Sequence, residues 1–113
     1  MNITFAQKKL KKEANNDRLL HRRHGKERAN KLLLRLSQLR DAVTLEDVRY
    51  LPGKFHELTE NRKGQWACDL DQPYRLVFRP HENPIPISSS GAYIWKEIKG
   101  VEVIEIINYH KEK

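Results

Sequence analysis

The sequence predicts an α+β fold in which N-terminal helices pack on a small, mainly antiparallel β-sheet. Apolar residues recur at helical spacing through the first half of the chain, and beyond Gly64 the period changes to two. Charge divides the chain at the same place. Residues 1–50 hold 13 Lys plus Arg against 6 Asp plus Glu, whereas residues 51–113 hold 9 against 9, so the formal net charge of +7 resides in the helical half.

Ile3 to Phe5 predict a short first strand at the sheet edge. Leu10, Ala14 and the pair Leu19 and Leu20 then mark an early helical region, with Gly25 as a flexible joint. From Lys26 onward Ala29, Leu32, Leu36, Leu39 and Val43 form one face of the main amphipathic helix, and the two regions together predict a helical hairpin. The leucine stripe is too short for a dimerising coiled coil, which favours packing on the chain's own sheet. Thr44 followed by Asp47 reads as a cap for one more turn, Leu45 to Tyr50, stopped by Pro52-Gly53.

In the second half, Trp66, Cys68 and Leu70 alternate with Ala67 and Asp69, and Tyr74, Leu76 and Phe78 alternate with Arg75, Val77 and Arg79. Two antiparallel strands around Asp71-Gln72-Pro73 account for both runs. His81 to Gly91 has the Pro and Ser content of an exposed loop. Val101 to Ile107 is the last strand, extended to the surface by Asn108-Tyr109-His110.

At 113 residues the chain is expected to form a single domain, 1–113, with one core and no need of a metal or disulfide. Cys68, the one cysteine, reads as a buried apolar residue within a strand. No apolar run reaches the roughly 18 residues of a membrane span, and the N-terminus lacks a secretory pattern, so a cytoplasmic location without a membrane partner is expected. His21, His24, His56, His81 and His110 lack a Cys-x-x-Cys partner set, and the basic setting of His21 and His24 would repel a cation, so no metal or other cofactor is expected.

A one-sided basic field concentrates polyanions, and it suits nucleic acid or an acidic protein equally; a merely solvated helical face is the bland alternative. If Tyr74, Leu76 and Phe78 face the core, Arg75 and Arg79 emerge with Val77 on the open face of the sheet. There their guanidiniums could hold a phosphate and offset charge developing on it, or simply pair with Glu102 or Glu105. Cleaving RNA also needs groups that take a proton from the 2′-hydroxyl and return one to the departing 5′-oxygen. His56 and His110 have suitable proton affinity, and Tyr109 can stack on a base or donate a hydrogen bond.

The segments His56-Glu57-Leu58, Asn61-Arg62-Lys63-Gly64-Gln65-Trp66, Pro73-Tyr74-Arg75-Leu76-Val77-Phe78 and Asn108-Tyr109-His110 resemble the HigB branch of the RelE/ParE toxin superfamily. The resemblance runs from about Leu51 to His110. It implies a microbial-RNase-like fold and a type II toxin that cuts messenger RNA in the ribosomal A site without a metal. His56 then matches the histidine of proton transfer or substrate orientation, Arg75 the arginine at the phosphate, Tyr109 the residue that orients or stacks on the base, and His110 the C-terminal histidine. Where such proteins often carry Asp-Tyr-His this chain has Asn108, which can hydrogen-bond to substrate but cannot accept a proton as a carboxylate does. Where a lysine often follows the histidine by three residues it has Thr59, so Lys54, Arg62 or Lys63 would supply the positive charge, with Arg79 as a further substrate-binding residue.

Implied partners are a cognate antitoxin, commonly a HigA-like helix-turn-helix protein, together with the ribosome and its message; operator DNA would be reached only through the antitoxin. Two rivals stay open: a ParE-like gyrase inhibitor, and a noncatalytic nucleic-acid-binding regulatory module.

Overall fold

A computed structural model describes residues 1–109; the expectations placed on His110 lie outside them. The chain runs β1 (Asn2–Phe5), α1 (Lys8–Ala14), α2 (Asp17–His24), α3 (Lys26–Asp41), α4 (Leu45–Val48), β2 (His56–Glu57), β3 (Trp66–Asp69), β4 (Tyr74–Pro80) and β5 (Gly100–Asn108). Short 3-10 turns lie at Glu60–Arg62 and Trp95–Glu97. The strands form a five-stranded sheet in the order β1-β5-β4-β3-β2, antiparallel except for the β1 and β5 pair. Helices first and an antiparallel-dominated sheet after is the expected α+β arrangement.

The early helical region comprises two helices, α1 and α2. Asn16 starts α2 by accepting the Leu19 amide at 3.1 Å, so the break falls where an asparagine can cap the next helix. Gly25, at φ 81°, then turns the chain into α3. Leu32, Leu36 and Leu39 of α3 are buried as their spacing requires, but Val43 is 74 % exposed because the helix ends at Asp41 and Ala42 is extended. The predicted face therefore stops at Leu39. Asp47 accepts from the Thr44 amide at 3.0 Å and completes the capping box of α4, which is shorter than the predicted turn.

One apolar cluster joins Leu10, Leu20, Leu32 and Leu36 of the helices to Trp66, Leu76, Phe78 and Val103 of the sheet. Fully burying a leucine or phenylalanine contributes about 1.5–3 kcal/mol, so this helix-to-sheet contact is the main favourable term in the fold. The loop before β5 adds to the same core, since Trp95 stands edge-on to Trp66 with centroids 5.4 Å apart. No helix among the described residues is long and apolar enough to cross a membrane.

Opposite the helices, the second sheet face is less open than the alternation predicts. Val77 and its β3 neighbour Ala67 are fully buried although both point away from the main core. Arg62 explains the closure: it hydrogen-bonds Gln65 at 2.9 Å and reaches Glu105 on β5 at 3.2 Å, and Glu105 pairs directly with Val77. Its side chain thus crosses the small residues of this row.

Candidate nucleic-acid interface

The geometry of this face begins on the other side of the sheet, with Arg35 of α3. Its side chain is buried, and its Nε donates to the Asp69 carbonyl at 2.7 Å while Nη1 donates to Gln38 Oε1 at 3.0 Å. The loop before β2 must pass very close to this guanidinium, which is why residue 53 is glycine. Gly53 sits at φ 116°, and a Cβ there would lie 2.6 Å from Arg35 Cζ. The Gly53 carbonyl in turn accepts the Asp69 amide at 2.8 Å, so helix, loop and strand end are tied together at Asp69.

Asp69 passes that order to the candidate site. Its Oδ1 lies 3.3 Å from Arg75 Nε, and the carboxylate is largely withdrawn from solvent. The Arg75 guanidinium also lies over the Tyr109 ring, 3.8 Å from its centroid. Tyr109 is anchored by its amide, which donates to the Pro73 carbonyl at 2.8 Å. Ion-paired with Asp69 without a hydrogen bond to Oδ1, and stacked on Tyr109 by one flat face, Arg75 keeps its planar guanidinium at this site, and such a fork suits an oxyanion.

His56 shares this face. It pairs with Ala67, which pairs with Val77, and Val77 stands two residues from Arg75 on β4. His56 Nδ1 lies 2.6 Å from the Lys54 carbonyl. A carbonyl only accepts, so Nδ1 carries the proton, and in the neutral ring Nε2 holds the lone pair. Among the described residues Nε2 has no hydrogen-bond partner. Lys54 itself is exposed, at φ 54° in the loop before β2.

The remaining predicted residues do not gather at Arg75. Arg79 lies four positions along β4, roughly 13 Å away at strand spacing, and is bonded to Glu102 at 2.8 Å through Nε. Of the two readings its spacing allowed, pairing with the last strand is the one observed. Arg79 and the exposed Lys63 line a separate cleft of about 410 Å³, bounded also by His81 and Ile85. Register places Asn108 opposite Tyr74, on the helix side of the sheet, whereas Ile107 is the residue opposite Arg75.

Sequence reasoning missed Asp69 as the partner of Arg75 and did not pair Glu105 with Arg62. Glu102 and Glu105 are three residues apart yet share a face, because β5 carries one extra residue, Ile104, where Val77 and Phe78 face Glu105 and Val103. A bulge of this kind has no signature in a run of Val and Ile. Asp69 was legible in principle, since its place in the alternation puts it beside Arg75 across the hairpin. Among the described residues no group of three or more His, Cys, Asp and Glu side chains is placed to hold a metal ion. Burial pushes the Cys68 thiol well above its ordinary pKa, which fits its place in the core.

No protein-family model matches the sequence, and neither does any curated protein. Solved structures do match in shape. The YoeB/ParE toxin from Agrobacterium tumefaciens superposes with a TM-score of 0.51 over 94 % of this chain and 96 % of that chain, at 14 % identity. Near-complete coverage of both chains means that the whole arrangement of helices and sheet is common to the two, and the chain has the α+β fold of that toxin.

Proposed function

We propose that this chain is the toxin of a type II toxin-antitoxin pair and a HigB-like, ribosome-dependent endoribonuclease acting on messenger RNA in the cytoplasm without a metal. The observation that carries the reading is Arg75, ion-paired with Asp69 and stacked on the Tyr109 ring, on the face that also holds His56 with its Nε2 open. In this mechanism His56 Nε2 takes the proton of the 2′-hydroxyl as that oxygen attacks phosphorus. Arg75 stabilises the charge that builds on the non-bridging oxygens. The 5′-oxygen leaves with a proton from a second acid, for which His110, the C-terminal histidine of the resemblance, has suitable proton affinity. Tyr109 orients Arg75 through the stack on its ring and is the residue the resemblance assigns to the base. Residues 1–113 act as one domain in this reading, and a cognate antitoxin, HigA-like and DNA-binding, restrains the toxin.

One observation favours a noncatalytic module instead. Arg62, Arg75 and Arg79 each already hold a carboxylate, so an incoming phosphate must compete for them. Expression with and without the neighbouring gene product, followed by mapping of RNA 5′ ends in a translating extract, separates the readings. New ends inside translated messages support the nuclease. Growth arrest with intact messages rejects it, and trapped gyrase cleavage complexes would point to the ParE-like inhibitor.

A further inference from the structure

Apart from the exposed Lys54 and Lys63, the cations near the candidate cleavage chemistry are already paired. On the sheet face Arg62, Arg75 and Arg79 are each matched by a carboxylate. On the helical layer the opposite holds. Lys8, Lys9, Lys11 and Lys12 of α1 are all exposed, as are Arg18, Arg22 and Arg23 of α2, and none has an ion-pair partner among the described residues. The one acid that α1 contributes, Glu13, is buried and bound to His24 at 2.7 Å, so it does little to screen them.

We infer that the exposed surface of α1 and α2 is a second nucleic-acid surface, one that grips double-helical RNA by its phosphate backbone. Composition separates this partner from the other polyanions. A protein interface is built around apolar and aromatic anchors, yet between Lys8 and His24 every exposed residue is polar or charged. Single-stranded RNA is held by stacking on aromatic rings; no Phe, Tyr or Trp occurs between Phe5 and Tyr50, and the rings of His21 and His24 are half-buried and hydrogen-bonded to Asn30 and Glu13. Clustered cations without rings or apolar anchors read phosphates alone, and a duplex offers two regularly spaced rows of them. RNA rather than DNA rests on the nuclease reading above.

The two surfaces meet at a sheet edge. β1 covers β5 only from Gly100 to Val103, and beyond it a cleft of about 320 Å³ is lined by Lys9, Arg23 and His24 from the helices and by Glu105 and Ile106 from β5. Glu105 is the carboxylate that Arg62 reaches on the site face. A stem seated on the helices would thus lead its adjoining single strand around this edge toward Arg75 and His56.

Fluorescence anisotropy with a labelled RNA hairpin, a duplex DNA of equal length and a single-stranded RNA, each titrated across salt concentrations, tests the inference. Replacing Lys8, Lys12, Arg22 and Arg23 together by alanine is expected to reduce the slope of log K against log salt by about 4 for the hairpin. Single variants Arg22→Ala and Lys12→Ala, each expected to remove about one unit of slope, keep the test informative if the quadruple variant folds poorly. An unchanged slope in the helix variants overturns the inference, as does tighter binding to the DNA duplex or to the single strand. Loss of affinity for the antitoxin with hairpin binding intact would assign the surface to protein and also overturn it. Hairpin binding through these cations by a chain that cuts no message would leave this surface standing and reject the nuclease reading instead.

Discussion

The guanidinium of Arg75 lies over the ring of Tyr109 at 3.8 Å, and this contact joins the middle strand of the site to the residue that follows the last strand. Arg75→Lys keeps the charge but loses the planar fork and the stack. It is expected to lower message cleavage by roughly 10²- to 10³-fold, as removal of an oxyanion donor does. Tyr109→Phe should retain most activity because the stack survives, whereas Tyr109→Ala should fall toward the Arg75→Lys level. Single-turnover cleavage rates on programmed ribosomes check the order of the three variants.

Arg62 pairs with Glu105 at 3.2 Å, and in the proposed function this carboxylate competes with RNA phosphate for it. Glu105→Gln removes the competing charge while keeping the side chain's size. RNA binding is expected to tighten and its salt slope to steepen by about one unit, because one more cation becomes available to phosphate. Anisotropy across salt with a single-stranded RNA measures this. A weaker, flatter dependence would show that the carboxylate orders the site rather than blocking it.

Gly53 faces a steric limit and a backbone limit together, with Arg35 Cζ 2.6 Å from where a Cβ would stand and φ at 116°. Gly53→Ala is therefore expected to cost about 1–3 kcal/mol. Urea denaturation should show a lower midpoint at unchanged slope. Since this loop also carries Lys54 and His56, the same variant should lose cleavage activity beyond what its stability predicts.

Cys68 is buried, and burial raises its thiol pKa, so the reactive thiolate is scarce in the folded protein. Iodoacetamide at mildly alkaline pH should leave the native chain unmodified and label it rapidly in urea. Mass spectrometry reads both states, and labelling of the native protein would contradict the packing described for β3.

The fold was legible because each half of the chain keeps one strict period. Leu32, Leu36 and Leu39 at helical spacing, and Trp66, Cys68, Leu76 and Phe78 at strand spacing, name most of the core unaided. Features set by contacts between distant segments were not legible. Val43 fits the helical face but lies past its end, and the burial of Val77 depends on Arg62 arriving from another part of the chain. At the site the residue types near His56 and Arg75 were readable, but the carboxylate attached to each arginine depends on strand register and on the bulge at Ile104. The one-sided charge was legible as well: the excess counted in residues 1–50 corresponds to the exposed lysines and arginines of α1 and α2.

The central claim is that His56 accepts a proton through Nε2 during message cleavage, with Nδ1 fixed on the Lys54 carbonyl. Mapping RNA 5′ ends in a translating extract with native chain and with His56→Ala tests it most directly. New ends inside ribosome-bound messages are expected for the native chain, with a loss of about 10²- to 10⁴-fold for His56→Ala, the usual contribution of a general base. Equal cleavage by both proteins, or translation arrest by the native chain with every message intact, would contradict it.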